Sequence, residues 1–376
     1  MNNDKDIVIT SAFRTPIGSF QGSLKDHKAT ELGTAVVKKC MEHSNLNGSE
    51  VDTVILGQVL QTGCGQNPAR QAAINSGIDK SKTATTINQV CGSGLAAITL
   101  GFNSLKLNDT NIIIAGGQES MTNSPHYLNY RMEKNLSEEK LKDSMLIDGL
   151  IDAYDDYHMG VTAENVAEKY QITRNDQDNF ALNSQKKAIK AISENRFKEE
   201  IVPIKLKNQK IFDKDEYPRS DTNLEKLSNL KTVFKENGSV TAGNASGIND
   251  GASALVLANE KNAQKGNPLA RIVSYGFGGV DPDEMGMGPI PASKMALKKS
   301  GLKVEDLDII ESNEAFAAQA CAVNKQLGLD PEKVNVNGGA IALGHPVGAT
   351  GSIIMTKLLY ELKRINGKYG LATMCI

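Results

Sequence analysis

Two stretches far apart in the chain, Glu50-Val-Asp-Thr-Val-Ile-Leu56 and Glu305-Asp-Leu-Asp-Ile-Ile-Glu311, share an acidic start and an apolar run. Each belongs to a similar succession of strand-like and helix-like segments, and this repetition limits the fold more than any other feature. In the first series, residues 7–12 read as a strand, followed by the turn Arg14-Thr-Pro-Ile-Gly18. Residues 30–42 have helical spacing through Leu32, Ala35, Val36 and Cys40. Strands are then expected at 51–57, 85–90 and 111–117, with helices at 68–76 and from Leu95 onward. In the second series the expected strands are 270–276, 307–311, 334–337 and 370–376, and the helices 293–300, 314–327 and 348–363. The alternation predicts two similar α/β halves, each a parallel sheet covered by helices. Between them, residues 119–249 are richer in charge, with helical stretches at 163–170 and 176–195. They read as an inserted loop domain, and 252–257 as the strand that closes the first half. The domains so drawn are 1–265, including the insertion 119–249, and 266–376.

Composition narrows the function classes. The chain has 376 residues, 40% hydrophobic and 23% charged, enough for a large core and more than one domain. A net charge of -2 gives no general affinity for nucleic acid or an anionic membrane. The opening residues show no signal-peptide pattern, and no run approaches a membrane span. The five cysteines, Cys40, Cys64, Cys91, Cys321 and Cys375, form no CxxC pair, which argues against a disulfide framework or a zinc site and for a reducing cytosol. No G-x-G-x-x-G follows the first strand, so a dinucleotide-binding dehydrogenase is disfavoured.

Two glycine-rich turns could carry chemistry. In Thr86-Ile-Asn-Gln-Val-Cys91-Gly-Ser-Gly-Leu95 a cysteine stands between a strand and a helix. A free thiol titrates near ~8.5, and a helix N-terminus favours the thiolate through its unpaired N–H groups and dipole. Read as ordinary structure, Cys91 is a buried packing cysteine. In Asn337-Gly-Gly-Ala-Ile-Ala-Leu-Gly344-His345-Pro346-Val-Gly348, His345 stands on the equivalent turn of the second half. Alone it reads as a capping or packing histidine. If the halves pack symmetrically, the two turns meet and His345 can take the proton of Cys91. Asn313, in Asn313-Glu-Ala-Phe316, could cap a helix or hold a water or carbonyl oxygen in the cleft. Cys375, on the last strand, is ordinary core unless a second thiol is needed to move protons on and off carbon.

Together these blocks resemble the signature blocks of the thiolase family. They are Asn88-Gln-Val-Cys-Gly-Ser-Gly94, Gly243-Asn-Ala-Ser-Gly-Ile-Asn-Asp-Gly251, Asn313-Glu-Ala-Phe316, Gly338-Gly-Ala-Ile-Ala-Leu-Gly-His-Pro346 and Leu371-Ala-Thr-Met-Cys375. The resemblance runs from Ile7 to the last residue. Tyr157-His158-Met159-Gly160 is similar to the short-chain acetyl-CoA acetyltransferase subgroup. The resemblance implies duplicated βαβαβαββ halves in an α/β/α/β/α stack with an inserted loop domain. It implies a reversible Claisen condensation of two acetyl-CoA to acetoacetyl-CoA and CoA through an acetyl-cysteine. In that scheme Cys91 is the nucleophile, His345 its base, Cys375 the acid and base at carbon, and Asn313 the holder of an oxyanion-hole water. His158, Met159, Arg219, Phe234, Ala242, Ser246 and Phe316 would line the coenzyme A channel. CoA thioesters are then substrates, no metal or further cofactor is required, and a cytosolic homotetramer, a dimer of dimers, is expected.

The chain departs from the resemblance in three places. The serine or threonine typical of the family near Lys226 is not there, so that CoA contact is not expected. Ser312 replaces an apolar or small residue, with little effect expected. The last cysteine of the family is followed by a glycine triplet and a further strand, whereas this sequence ends at Ile376. A missing strand in the second sheet, a fraying Cys375 and lower activity are therefore expected. Two rivals stand beside acetoacetyl-CoA chemistry: a broader 3-ketoacyl-CoA thiolase and a non-catalytic acyl-CoA-binding or lipid-binding form.

Overall fold

The computed structural model describes residues 6–132, 137–263 and 268–376. The first series begins with β1 (Ile7–Arg14) and a short β2 (Gly18–Ser19). It continues with α1 (Ala29–His43), β3 (Thr53–Gly57), α2 (Pro68–Asn75), β4 (Thr83–Ile87), α3 (Ser93–Lys106) and β5 (Ile112–Ser120). The insertion holds the hairpins β6 (His126–Tyr127) with β7 (Lys142–Asp143), and β8 (Ile204–Lys205) with β9 (Ile211–Phe212). Its helices are α4 (Met159–Tyr170), α5 (Arg174–Ser193) and α6 (Leu224–Ser228). The chain returns through β10 (Asn249–Asn259). The second series holds β11 (Ala270–Arg271), α7 (Pro289–Ser300), β12 (Ile309–Ser312), α8 (Ala317–Leu327), α9 (Ala340–Leu343), α10 (Val347–Ile365) and β13 (Gly370–Thr373).

Local chemistry sets the helix starts. Asn67 accepts a hydrogen bond from the Arg70 N–H and Pro68 follows it, so α2 begins there. Thr173 and Asp176 form a reciprocal capping box at the start of α5. Both helices begin within a few residues of the expected positions.

The first sheet is seven-stranded, in the order β11-β1-β10-β5-β3-β4, with β2 paired to β10. It is mixed rather than parallel: β3 pairs parallel with β4 and β5, but β10 runs antiparallel between β1 and β5. The sequence expectation of a parallel sheet missed this because β10 arrives from the insertion instead of a crossover helix. Its Ala252, Ala254, Leu255, Val256 and Leu257 are fully or almost fully buried, as a central strand covered on both faces requires.

One face of this sheet packs on α1 and α2 through Leu32, Val36, Val37, Ala69, Ala72 and Ala73. The other packs on α3 and α10 through Ala97, Ile98, Leu105 and Leu359. Helices α3 and α10 touch almost backbone to backbone. A Cβ added at Gly94 would lie 2.5 Å from the Ser352 nitrogen, and one added at Gly351 would lie 2.4 Å from the Leu95 nitrogen. Only glycine permits that approach. Because Gly94 lies in the first turn of α3 and Gly351 in the second turn of α10, the crossing draws the two helix N-termini together. α10 also lies against β12 and β13, and beyond them α8 packs through Ala322, Val323 and Leu327.

The second sheet is smaller than the repeat implies. β12 and β13 pair in parallel, and the expected strand 334–337 is reduced to one bridge between Ile310 and Val334. Of the expected strand 270–276 only Ala270–Arg271 pairs, and it joins β1 of the first sheet. Among the described residues no strand holds in the second sheet the position of β10 in the first. A groove of about 1620 Å³ runs there between residues 268–282 and β13; Gly92, Met159, Met374 and Ile376 line it, while Cys91, His345 and Cys375 do not. Cys375 is not frayed: it is 1% exposed, packed with Ala315, Phe316 and Ala318.

Candidate active site

The Cys91 turn is held in a strained shape. Val90 has φ 45°, a left-handed conformation that a β-branched residue rarely adopts, worth roughly 1–3 kcal/mol of local strain. Ser93 compensates by donating its hydroxyl to the Val90 carbonyl at 2.6 Å and accepting the Gln89 N–H at 2.8 Å. The result sets Cys91 just before α3.

On the facing turn, Gly344 has φ 109°, and a Cβ there would lie 2.5 Å from the Asn249 side chain. Asn249 uses that space. Its Oδ1 accepts the His345 N–H at 2.9 Å and its Nδ2 donates to the Gly18 carbonyl at 3.0 Å. The two turns then meet: His345 Nε2 lies 3.3 Å from Cys91 Sγ.

The tautomer follows from the hydrogen-bond pattern. Thr350 donates its one hydroxyl proton to the Pro346 carbonyl at 3.0 Å. With that proton on the carbonyl, its Oγ1, 2.7 Å from His345 Nδ1, is placed to accept from an Nδ1–H. Nε2 is left with its lone pair toward Cys91, as a base needs. Thr350 and Asn249 were not among the residues singled out in the sequence. Position in the repeat gave no signal for Thr350, and Asn249 showed only as part of the Gly243–Gly251 block. A Thr350→Val substitution is expected to slow Cys91 acylation about tenfold, the effect of one lost hydrogen bond of ~1.4 kcal/mol, while Thr350→Ser retains the rate. Single-turnover acetylation kinetics check this.

The protonation states differ from the sequence expectation. Cys91 is only partly covered as a residue, yet its thiol lies deep enough that burial pushes it up to about 12, with the Glu119 charge adding in the same direction. The helix N-terminus does not offset this. Burial likewise holds His345 down to about 4. The resting pair is a neutral thiol beside a neutral imidazole, so a thiolate forms only as the proton crosses to Nε2. Cys375 is raised far above the ordinary thiol range, by burial first and then by Cys91 beside it.

Asn313 follows β12, and its N–H donates to the Thr373 carbonyl of β13 at 3.0 Å. Its side chain is 1% exposed, and neither amide atom has a protein partner. The adjoining Glu314 ties the second turn down, accepting from Ser184 at 2.6 Å, Asn335 at 2.8 Å and the Ile341 N–H at 3.2 Å.

The proposed channel residues divide into a packed group and an exposed one. His158 stacks on Phe234 at 4.5 Å, and Phe234 meets Phe316 edge-on at 6.2 Å. Met159 joins the same cluster as Cys375 and Phe316. The Ser246 N–H donates to the Ala315 carbonyl at 2.9 Å. Arg219 and Ala242 are exposed. Arg219 lies 5.8 Å from the Tyr217 ring centroid, and a Cβ on Gly247 would meet that ring, so Arg219 borders the Ser246 turn through Tyr217.

The likeness to known proteins runs along nearly the whole chain. The family model for the thiolase N-terminal domain matches residues 7–261, and that for the thiolase C-terminal domain matches residues 266–376. An acetyl-CoA acetyltransferase of Rhizobium meliloti is 52% identical over 100% of this chain and 96% of its own length. One of Pseudomonas aeruginosa is 53% identical over 99% and 96%. Among solved structures, the Bacillus anthracis acetyl-CoA acetyltransferase superposes with a TM-score of 0.96 at 44% identity, covering 99% of this chain and 96% of that one. Human mitochondrial 3-ketoacyl-CoA thiolase superposes at 0.95 and 41%, with the same coverage of each chain. The chain belongs to the thiolase family.

Proposed function

We propose that the chain is an acetyl-CoA C-acetyltransferase, condensing two acetyl-CoA reversibly to acetoacetyl-CoA and CoA through an acetyl group on Cys91. The observation that carries this reading is the 3.3 Å contact between Cys91 Sγ and a His345 Nε2 left free to accept. His345 takes the thiol proton as Sγ attacks the thioester carbonyl. The C–S bond to CoA breaks, and Cys375 gives its proton to the departing CoA sulfur. Cys375 is now a thiolate and His345 an imidazolium. The thiolate removes a methyl proton from a second acetyl-CoA. A thiol held far above its ordinary range suits this step, because its conjugate base is strong. The enolate attacks the acetyl carbonyl, the Cys91 sulfur leaves, and His345 returns its proton. The unpartnered Asn313 amide suits a water or carbonyl oxygen that bears enolate charge; one such donor is typically worth about 3–4 kcal/mol.

The aromatic cluster of His158, Phe234 and Phe316, with Met159, Ser246, Ala242 and Arg219 around it, is the proposed seat of the CoA chain. Exposed Tyr130, Met132, Leu146, Ile147 and Tyr154 in the insertion support a subunit interface and hence the homotetramer. Among the described residues no helix is long and apolar enough to cross a membrane. A cytosolic location remains part of the proposal.

The likeness to human 3-ketoacyl-CoA thiolase keeps a broader chain-length range as the second reading. Incubation with acetyl-CoA followed by peptide mass spectrometry is expected to show an acetyl adduct on Cys91, absent from Cys91→Ala. No adduct on the unaltered chain would favour a non-catalytic binder. Thiolysis of a series of 3-ketoacyl-CoA thioesters is expected to fall steeply beyond acetoacetyl-CoA, and a flat profile would favour the broader enzyme.

A further inference from the structure

We propose that Glu119 is a positioning residue for the Cys91–His345 pair, tying the loop after β3 to the first turn of α10 and so setting where His345 stands over the thiol. This rests on the acyl-transfer reading and deepens it. Glu119 lies on β5 and is fully buried. Its Oε2 accepts the Val59 N–H at 2.9 Å and the Gly348 N–H at 3.0 Å, and its Oε1 accepts the Leu60 N–H at 3.3 Å. Gly348 is in the first turn of α10, where the backbone N–H has no helical partner and the dipole favours an anion. One carboxylate thus spans both halves of the molecule.

The surroundings are built for it. A Cβ on Gly348 would lie 2.7 Å from Glu119 Oε2, 2.9 Å from the Gln58 Cα and 3.0 Å from the Val59 nitrogen, so the carboxylate and the loop it ties down share the space a side chain would take. Val59, Leu60 and Val347 form one apolar cluster with Cys91 at its edge. A shift of the Gly348 turn would therefore carry His345 along, while Cys91 stays with the first half. The titratable groups facing Glu119 are Asp250 of β10, Cys64 of the loop after β3, and Cys91 itself, with His345 at the tied turn. Burial raises Glu119 to about 8. It is therefore ionised in the range where Cys91 titrates, and its charge pushes that thiol up.

Two variants separate position from charge. Glu119→Gln removes the charge that Glu119 carries above about pH 8 and turns an NH₂ against one backbone donor. Its kcat for acetyl transfer should fall about tenfold or more with KM for acetyl-CoA within twofold, and the pH midpoint of Cys91 alkylation by iodoacetamide, read at peptide level, should move down. Glu119→Asp keeps the charge but shortens the reach, so kcat should fall while the midpoint stays. A residue serving stability alone would lower the unfolding midpoint and leave kcat per folded molecule and the alkylation midpoint unchanged. That result in both variants overturns the proposal. Should Glu119→Gln not fold, Glu119→Asp carries the test alone, and an unchanged kcat and alkylation midpoint there overturn the proposal. The acetyl adduct on the unaltered chain is the independent control. Its absence sinks the acyl-transfer reading, whereas its presence with unaffected variants sinks only the role of Glu119.

Discussion

Replacing His345 by alanine slows acetylation of Cys91 by about 10³-fold at pH 7, within the usual 10²–10⁴ range for a positioned general base. The reason is the protonation state of the pair. With the thiol pushed up to about 12 by burial, the thiolate is scarce at neutral pH unless a neighbour takes the proton as the sulfur attacks. His345 is the group within reach, at 3.3 Å, and burial keeps it neutral and able to accept. The sign of the pH dependence is a second check. In His345→Ala the reactive species is free thiolate, whose fraction rises tenfold per pH unit below the thiol pKa. The residual rate should therefore climb log-linearly from pH 7 to 9, while the unaltered chain changes much less over that window. A rate in His345→Ala within threefold of the unaltered chain would remove His345 from the chemistry. Stopped-flow acetylation, followed by release of CoA, reads both effects.

Arg14→Ala is expected to lower the unfolding free energy by about 3–5 kcal/mol, the usual range when one partner of a buried ion pair is removed. Arg14 is fully buried at the end of β1. Its Nε donates to Glu200 at 2.6 Å, and its Nη1 and Nη2 donate to Asp215 at 2.7 and 3.0 Å. Glu200 and Asp215 belong to the insertion, so this guanidinium ties the insertion to the central sheet. The Arg14 N–H also donates to the Glu200 carbonyl at 2.9 Å, and the guanidinium lies 5.0 Å from the Phe197 ring centroid. Even with Arg14 present, burial holds Glu200 above its ordinary range, and Arg14 is the main influence pulling it down. Without Arg14 the folded-state carboxylate rises further above its unfolded value. Folding then takes up protons, so the variant is most penalised above the raised pKa. It recovers stability as pH falls toward the unfolded carboxylate value of about 4. Urea denaturation at pH 7 and pH 5 measures both numbers. A loss below 1 kcal/mol at pH 7, or a loss that grows on acidification, would contradict this account.

The residues that the sequence made legible are those whose signal is local. Hydrophobic spacing located α1, α5 and α10 to within a few residues, because a helix face repeats inside its own segment. Glycine-flanked turns marked Cys91 and His345 as a possible pair, because the strand–turn–helix unit recurs and the two halves place like turns at like ends. The thiolase assignment followed from several blocks in fixed order, and it holds.

What the sequence could not show depends on groups brought together from distant positions. The antiparallel β10 at the heart of the first sheet is a matter of which strand the returning chain pairs with, and its composition suits either direction. Strand 270–276 had the pattern of a strand but only two residues found a partner, since pairing needs a neighbouring edge as well as a pattern. Thr350, Asn249 and Glu119 look ordinary in sequence; each acquires a role through a partner in another element or turn. Cys91 shows the difference most sharply. Its place before a helix argued for a lowered pKa, whereas burial beneath both halves raises it. The sequence by itself determined most of the helices, the repeat and the two glycine-flanked turns that meet, because these are written in short-range periodicity and turn chemistry. Only the tertiary structure decided strand direction, tautomer and protonation, because those depend on the field and the hydrogen-bond partners that distant residues supply once packed.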